Sequence, residues 1–318
     1  SIFYTPITSA RSTRTRFWRI RITTVCSPQV FIRKMYMECS FIRRKAIIGE
    51  LGCWRISPAC KTVLRPRIIP CLLIHNDGLV KTIRFDEPKY VGDPLNAVRI
   101  FNEKQVDEIM VIDIDAAVQN REPDYELIRS LASECRMPLC IGGGIKTVEQ
   151  IENIISLGVE KVAISSAAVA NPEIIPEASA RVGSQSVVVV MDVKKSGLQK
   201  RYELFIHNGK KATGLRPVEF AKQAEEQGAG EIVVNSIDCD GAMKGYDLEL
   251  VECVRESISL PVTVLGGAGT LDHIGQLVRD QGIIGAAAGS LFVFKGVYRA
   301  VLINYPKPEE KDTLVKEA

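Results

Sequence analysis

Two glycine pairs, Gly143–Gly144 and Gly266–Gly267, stand 123 positions apart, and each closes a short apolar run. Each is followed by a second turn of small polar residues, Ser165–Ser166 after the first and Gly289–Ser290 after the second. Glycine lets a chain pass close to an anion and aim several N–H groups at it. The start of a following helix and a serine hydroxyl complete such a cradle. One Gly-Gly pair is ordinarily a strand-end turn, but two at equivalent places argue for two phosphate sites. The ligand implied is long and carries a phosphate at each end.

These turns need a frame that repeats. Short apolar runs alternate with amphipathic stretches from Arg67 onward, the pattern of parallel strands covered by helices. The runs are Arg67–Ile74, Glu108–Asp115, Pro138–Ile145, Lys161–Ala168, Ser186–Val193, Glu231–Asp238, Pro261–Gly267 and Gly285–Phe292. Between them lie Pro94–Val106, Tyr125–Cys135, Val148–Leu157, Pro172–Val182, Pro217–Gln227, Asp247–Ile258 and Leu271–Gln281, with apolar residues about three and four apart. Eight such units predict a single (β/α)8 TIM barrel over residues 63–318. Glu108–Asp115 aligns with Glu231–Asp238, Pro138 with Pro261, and Ser166 with Ser290 one residue later in register. The barrel is therefore expected to consist of two repeated half-barrels.

Composition excludes several classes. With 46% apolar and 25% charged residues the chain can bury a full core. The uncharged stretch Gly282–Phe294 falls well short of the ~20 residues that span a bilayer, so no membrane association is expected. Nine cysteines include no Cys-x-x-Cys pair, and His75, His207 and His273 lie far apart, so no metal site is expected and no cofactor is called for. The thiols read as reduced, structural and cytoplasmic. Neither a Gly-x-Ser-x-Gly elbow nor a Gly-Lys-Ser/Thr loop occurs.

The first 62 residues differ from the rest. They hold 12 Lys/Arg against two acids, with both tryptophans and four cysteines, whereas the remainder has 29 basic against 36 acidic residues. A transit peptide, a nucleic-acid-binding arm and sequence translated from upstream of the true start are three readings of this segment. Its lack of any period favours the last, with Val63 as the first residue and residues 1–62 outside the fold. The acidic, aromatic-poor body argues against nucleic acid as a partner.

Several motifs then occur in order: Arg-Ile-Ile-Pro-Cys-Leu (Arg67–Leu72), Gly-Gly-Gly-Ile (Gly142–Ile145), Gly-Ser-Gln-Ser-Val-Val-Val (Gly183–Val189), Gly-Lys-Lys-Ala-Thr-Gly (Gly209–Gly214), Ser-Ile-Asp-Cys-Asp-Gly (Ser236–Gly241), Gly-Tyr-Asp (Gly245–Asp247) and Gly-Gly-Ala-Gly (Gly266–Gly269). Together they resemble the cyclase subunit of imidazole glycerol phosphate synthase over Leu64 to Tyr305. The resemblance implies a barrel of the ribulose-phosphate-binding type and a substrate with two phosphates, bound at Gly143, Gly144, Ser165 and Ser166 and at Gly266, Gly267, Gly289 and Ser290. It implies a reaction in which ammonia from a glutaminase attacks a ribulosyl aminoimidazole-carboxamide nucleotide. Imidazole glycerol phosphate and an aminoimidazole-carboxamide ribotide are released.

The family's acid/base pair is one aspartate at the end of the first strand and one at the end of the fifth. The second matches Asp192; the first falls on Leu73. Asp113, Asp115 and Asp240 are the nearest carboxylates that could substitute. On the opposite, N-terminal face the resemblance implies a ring of charges that gates ammonia entry from the glutaminase partner, matched by Arg67, Lys81, Glu108, Lys161 and Glu231. Four of these open strands, while Lys81 follows the first strand in a loop. Ordinary salt bridges closing the barrel are the competing reading of the ring.

Further departures are Asn235 and Ala242, where Thr is usual, Cys239 in place of Arg, and Leu265 in place of Ser. Leu73 and the tail Val297–Pro306 are more similar to a cyclase-like paralogue found with sugar-modification enzymes. For that paralogue the resemblance implies a role with a glutaminase and a third protein in forming acetamidino sugars of surface polysaccharides. Two functions are therefore in view: a synthase subunit with its own chemistry, or a conduit that passes ammonia on.

Overall fold

The structure is a computed structural model and describes residues 66–316 apart from 198, 297 and 298. The basic segment 1–62 and the proposed start at Val63 lie outside the described residues.

Eight parallel strands close on themselves: β1 (Arg67–His75), β4 (Ile109–Asp113), β5 (Leu139–Gly142), β6 (Lys161–Ile164), β7 (Val187–Ser196), β10 (Glu231–Ser236), β11 (Val262–Leu265) and β12 (Gly285–Ala288). Each pairs with the next in this order, and β12 returns to β1, so the ladder has no open edge. Helices cover the outside: α1 (Pro94–Glu103), α2 (Tyr125–Glu134), α3 (Val148–Ser156), α5 (Ile174–Val182), α6 (Pro217–Glu226), α7 (Leu248–Arg255) and α8 (Leu271–Gln281). The molecule is thus a (β/α)8 TIM barrel.

The strands are apolar on both faces because both are buried. On β1, Ile68, Leu72 and Ile74 point outward to the helices and pack in one core with Phe101, Leu131 and Ile151. Ile69, Cys71 and Leu73 point inward, into a smaller cluster with Met110, Cys140, Ala163, Val188, Val233 and Ala287. Five of the helices, α1, α2, α3, α7 and α8, begin after a residue whose side chain caps the first turn. Asp93 Oδ2 accepts the Asn96 N–H at 2.8 Å ahead of Pro94, and Thr147 and Gln150 form a reciprocal capping box.

Several strands are shorter than the apolar runs that announced them. β5 stops at Gly142 because Gly143 and Gly144 adopt positive φ of 106° and 71°. β6 and β12 stop where the short helices α4 (Ser166–Ala170) and α9 (Ser290–Val293) begin. Two hairpins add to the eight strands expected from the sequence. β2 (Gly78–Ile83) and β3 (Asp86–Gly92) fold back on β1, while β8 (Arg201–Ile206) and β9 (Lys211–Ala212) fold back on β7. Both rise from the C-terminal end of the barrel. After a small hairpin of β13 (Phe294–Lys295) and β14 (Ala300–Val301), the C-terminal helix α10 (Pro308–Lys316) packs against α8 near the other end. There the Tyr305 hydroxyl donates to the Ile68 carbonyl (2.8 Å) and Lys311 pairs with Asp107 (2.7 Å).

Candidate active site

A cavity of about 180 Å³ opens at the C-terminal mouth. Gly143, Gly144, Ser165, Ser166, Asp192, Asn235 and Asp240 line it together with Cys71, Leu73, Ile112 and Leu265. The tips of the two unforeseen hairpins, at Phe85 and at His207–Asn208, also belong to its wall. The backbone N–H of His207 donates to Ser166 Oγ (3.2 Å), and Asn208 Nδ2 donates to the Ile114 carbonyl (2.8 Å). Those bonds tie the second hairpin across the mouth.

Asp192 stands at the centre of the polar part. Its Oδ1 accepts from Asn235 Nδ2 at 2.8 Å and its Oδ2 from Ser165 Oγ at 3.3 Å. Burial pushes its pKa up to about 6, against the two hydrogen bonds that favour the anion, and the charge of Asp240 adds to the rise. A carboxyl so tuned exchanges protons near neutral pH, which is what a general base or acid requires. Cys71, which lines the same cavity, is no nucleophile, because burial lifts its thiol to about 11.

Leu73 lies across the same cavity, paired in register with Val80 and Ile112, and no carboxylate occupies its place. The three possible substitutes have different surroundings. Asp115 is tied to His75 Nδ1 (2.7 Å) and the Asn76 N–H (2.8 Å) and does not line the cavity. Asp113 reaches the cavity, but its Oδ1 caps the N–H groups of Asp115 and Ala116 and its Oδ2 pairs with Arg121 at 2.7 Å. Asp240 is buried in the cavity wall, accepts from Thr82 Oγ1 at 3.0 Å, and has Lys81 Nζ 3.8 Å away. Of the two that line the cavity, both oxygens of Asp113 are engaged, by backbone N–H groups and by Arg121, whereas Asp240 has one side-chain hydrogen bond and the more distant Lys81.

Lys81 requires a correction. The expected ring at the N-terminal face does not contain it, because the β2 hairpin folds back beside the upper half of β1, with Leu73 opposite Val80. Its buried ammonium lines the mouth cavity instead and passes over Gly289, where a Cβ would come within 2.3 Å of Nζ. Lys81 therefore sits beside the second Gly/Ser turn. Ser290 there is buried, and among the described residues Gly266, Gly267, Gly289 and Ser290 do not line the mouth cavity. The glycine pairs also have a steric role. A Cβ on Gly143 would lie 2.1 Å from the Asp113 carbonyl oxygen, and one on Gly267 2.0 Å from that of Gly245.

Arg67, Glu108, Lys161 and Glu231 do meet, at the opposite end of the barrel. Arg67 bonds Glu108 (2.5 Å) and Glu231 (2.7 Å), and Lys161 bonds the same two carboxylates at 2.8 Å each. The ring alternates in sign and is charge-balanced. Burial opposes the charge on Glu231, but the Arg67 hydrogen bond and the Arg67 and Lys161 charges outweigh it and hold its pKa below the usual range. Thr263, which the sequence reading passed over as a strand residue, donates to Glu231 Oε1 at 2.6 Å. No group of three metal-ligating side chains occurs among the described residues, and none of their helices is long and apolar enough to cross a membrane.

Residues 67–299 match the model of a family described as histidine biosynthesis protein. A protein of Leptospira interrogans provisionally named imidazole glycerol phosphate synthase subunit HisF is 56% identical over 252 residues, which are 79% of this chain and 99% of the relative. The Vibrio vulnificus (strain YJ016) protein provisionally named subunit hisF3 is 58% identical over 249 residues, 78% of this chain and 96% of that one. The Pseudomonas aeruginosa PAO1 protein provisionally named subunit hisF2 is 50% identical over 250 residues, 79% and 99% respectively.

Proposed function

The chain belongs to the histidine biosynthesis protein family, and from that premise we propose that it is the synthase-type subunit of a HisF-like glutamine amidotransferase complex. In this reading a glutaminase docks on the N-terminal face, around the ring of Arg67, Glu108, Lys161 and Glu231. Ammonia crosses the barrel and meets a substrate with two phosphates at the mouth. The observation that carries the reading is the half-buried Asp192, its pKa raised by desolvation, in a cavity whose wall also holds Gly143, Gly144, Ser165 and Ser166. Lys81 beside the Gly289–Ser290 turn supplies the cation that a second phosphate requires.

Asp192 would take a proton from the nitrogen as it forms its bond to the substrate, with Asn235 and Ser165 holding the carboxylate in place. Returning a proton to the departing group needs an acid on the other side. The usual position for it is Leu73, so turnover of the family's usual nucleotide should be slow unless Asp240, beside Lys81, supplies the acid. Leu73 favours a second reading, a paralogue that passes ammonia to a third protein acting on a sugar. Titration calorimetry with a bis-phosphate nucleotide separates the outcomes at the first step. Binding that weakens about tenfold in Ser166→Ala, a loss on the scale of one hydrogen bond to a charged group, supports a phosphorylated substrate at the mouth. The absence of binding overturns it.

A further inference from the structure

Strand β10 carries inward side chains at Glu231, Val233 and Asn235, so it starts in the charged ring and ends, about 13 Å further along, in the wall of the mouth cavity. Asn235 is only 5% exposed. Its amide orientation is set by Asp192, because an ionised carboxylate can only accept and the NH2 group must face it. The amide oxygen then points away, beside Gly266, where a Cβ would come within 3.2 Å of it. It is buried, and no donor among the described residues reaches it. A buried acceptor left unmet costs about 1–3 kcal/mol, which the threonine usual at this place in the family would avoid by rotating its hydroxyl. A group kept under that penalty is expected to meet its donor during function.

We propose that Asn235 Oδ1 and the Asp192 carboxylate form an acceptor pair that receives ammonia as it leaves the barrel. Two of its N–H bonds are held by the two oxygens, and its lone pair stays directed at the bound substrate. The final torsion of an asparagine has a broad, soft minimum, so a rotation about it turns Oδ1 toward the cavity with no backbone movement, and the Nδ2 bond to Asp192 that it breaks is replaced by the N–H bonds of the bridging ammonia. Ammonia fits this geometry because it is small, carries three donors and would arrive along the strand that bears both Glu231 and Asn235. Phosphates are repelled from this spot by Asp192. The proposal rests on the ammonia-using reading above and adds the residue that receives the nitrogen.

The test follows the Asp192 carboxyl carbon by NMR in the full chain, assigned by its loss in Asp192→Asn, and titrated in ammonium chloride or potassium chloride at equal ionic strength. Potassium matches ammonium in size and charge but offers no N–H. In the wild type, ammonium should lower the proton affinity of Asp192 at least about threefold, ~0.5 pKa unit, relative to potassium. Asn235→Leu should abolish that difference, and Asn235→Thr, the residue usual in the family and so a guard against misfolding, should reduce it. Equal midpoints in the two salts, or a difference that survives in Asn235→Leu, overturn the acceptor pair. If that happens while the bis-phosphate ligand and the glutaminase still bind, the acceptor pair alone fails. Loss of all three overturns the reading beneath it.

Discussion

Replacing Leu73 by aspartate tests the chemistry of the mouth most directly. Leu73 is half-buried against Ile112 and Val80, at the upper edge of the inner apolar cluster. Full burial of a leucine stabilises by about 1.5–3 kcal/mol, and roughly half of that is lost here. Holding a neutral carboxyl in the same place adds about 1–3 kcal/mol. A total of about 2–4 kcal/mol leaves the chain folded if its stability lies in the ordinary range of about 5–15 kcal/mol. The new carboxyl would face Asp192 and Asp240, whose charges push its pKa upward, so one member of the pair stays protonated while the other ionises. That division is what an acid/base pair needs, and a positioned proton donor adds on the order of 10²–10⁴ in rate. The assay uses ammonium salts and the nucleotide substrate of the family, with release of imidazole glycerol phosphate as the signal. Urea unfolding is run on the same samples. Little turnover is expected from the wild type, a rise of about two orders of magnitude or more from Leu73→Asp, and none from Leu73→Asn. Swift wild-type turnover would refute the reasoning and assign the acid role to Asp240. If neither form turns over while both still bind the bis-phosphate ligand, the conduit reading is the better account.

Two other outcomes follow from the charges. The raised pKa of Asp192, about 6 against about 3.9 unfolded, favours its neutral form in the folded state. Its contribution to stability is therefore fully present below about pH 4 and lost as pH rises through about 6. The unfolding free energy of Asp192→Asn minus that of wild type should then rise by up to about 3 kcal/mol between pH 4 and 7, measured by urea unfolding, and a flat difference would contradict a buried anion at neutral pH. The Glu231 shift has the opposite sign, so its stabilisation is present above the unfolded pKa and lost as pH falls through the lower folded value. Lys161→Met should cost about 3 kcal/mol at neutral pH, as expected when one partner of a buried pair is removed, with a smaller deficit in acid. A deficit independent of pH would show that the loss is one of packing and not of charge.

The barrel was legible because eight apolar runs, each buried on both faces, alternate with amphipathic stretches, and because the half-length repeat confirmed their order. Four members of the charged ring were legible for the same reason, since each stands at a strand start. Lys81 was misplaced because the hairpin that carries it went unread. Its turn nevertheless had a signal in Asn76-Asp77-Gly78, where Asn76 and Asp77 adopt positive φ of 48° and 61°. The same holds for His207-Asn208-Gly209, the turn that covers the mouth. Thr263 was not legible as part of the ring, because a threonine in a strand is ordinary and only its partner, Glu231, distinguishes it. Asn235 stood out as a departure, but its unmet oxygen depends on the direction of the Asp192 bond, which no spacing encodes.

The two ends of the barrel are linked by strand register. Glu231 pairs with Val188, and four residues on Asn235 pairs with Asp192, so one alignment of β10 against β7 puts both Glu231 and Asn235 inside. A slip of β10 by one residue would turn Glu231 outward among the helices, away from Arg67 and Lys161, and would take Asn235 away from Asp192. Satisfying the ring of Arg67, Glu108, Lys161 and Glu231 therefore also selects the register in which Asn235 meets Asp192. Charges at the strand starts act on the mouth by fixing this alignment, although no side chain of the ring reaches it. A leucine at 73 is therefore compatible with an otherwise intact mouth. Its neighbours are held by a register anchored at the far end of the strands, so the chemistry at one position can change while Asp192, Asn235 and Ser165 keep their hydrogen bonds.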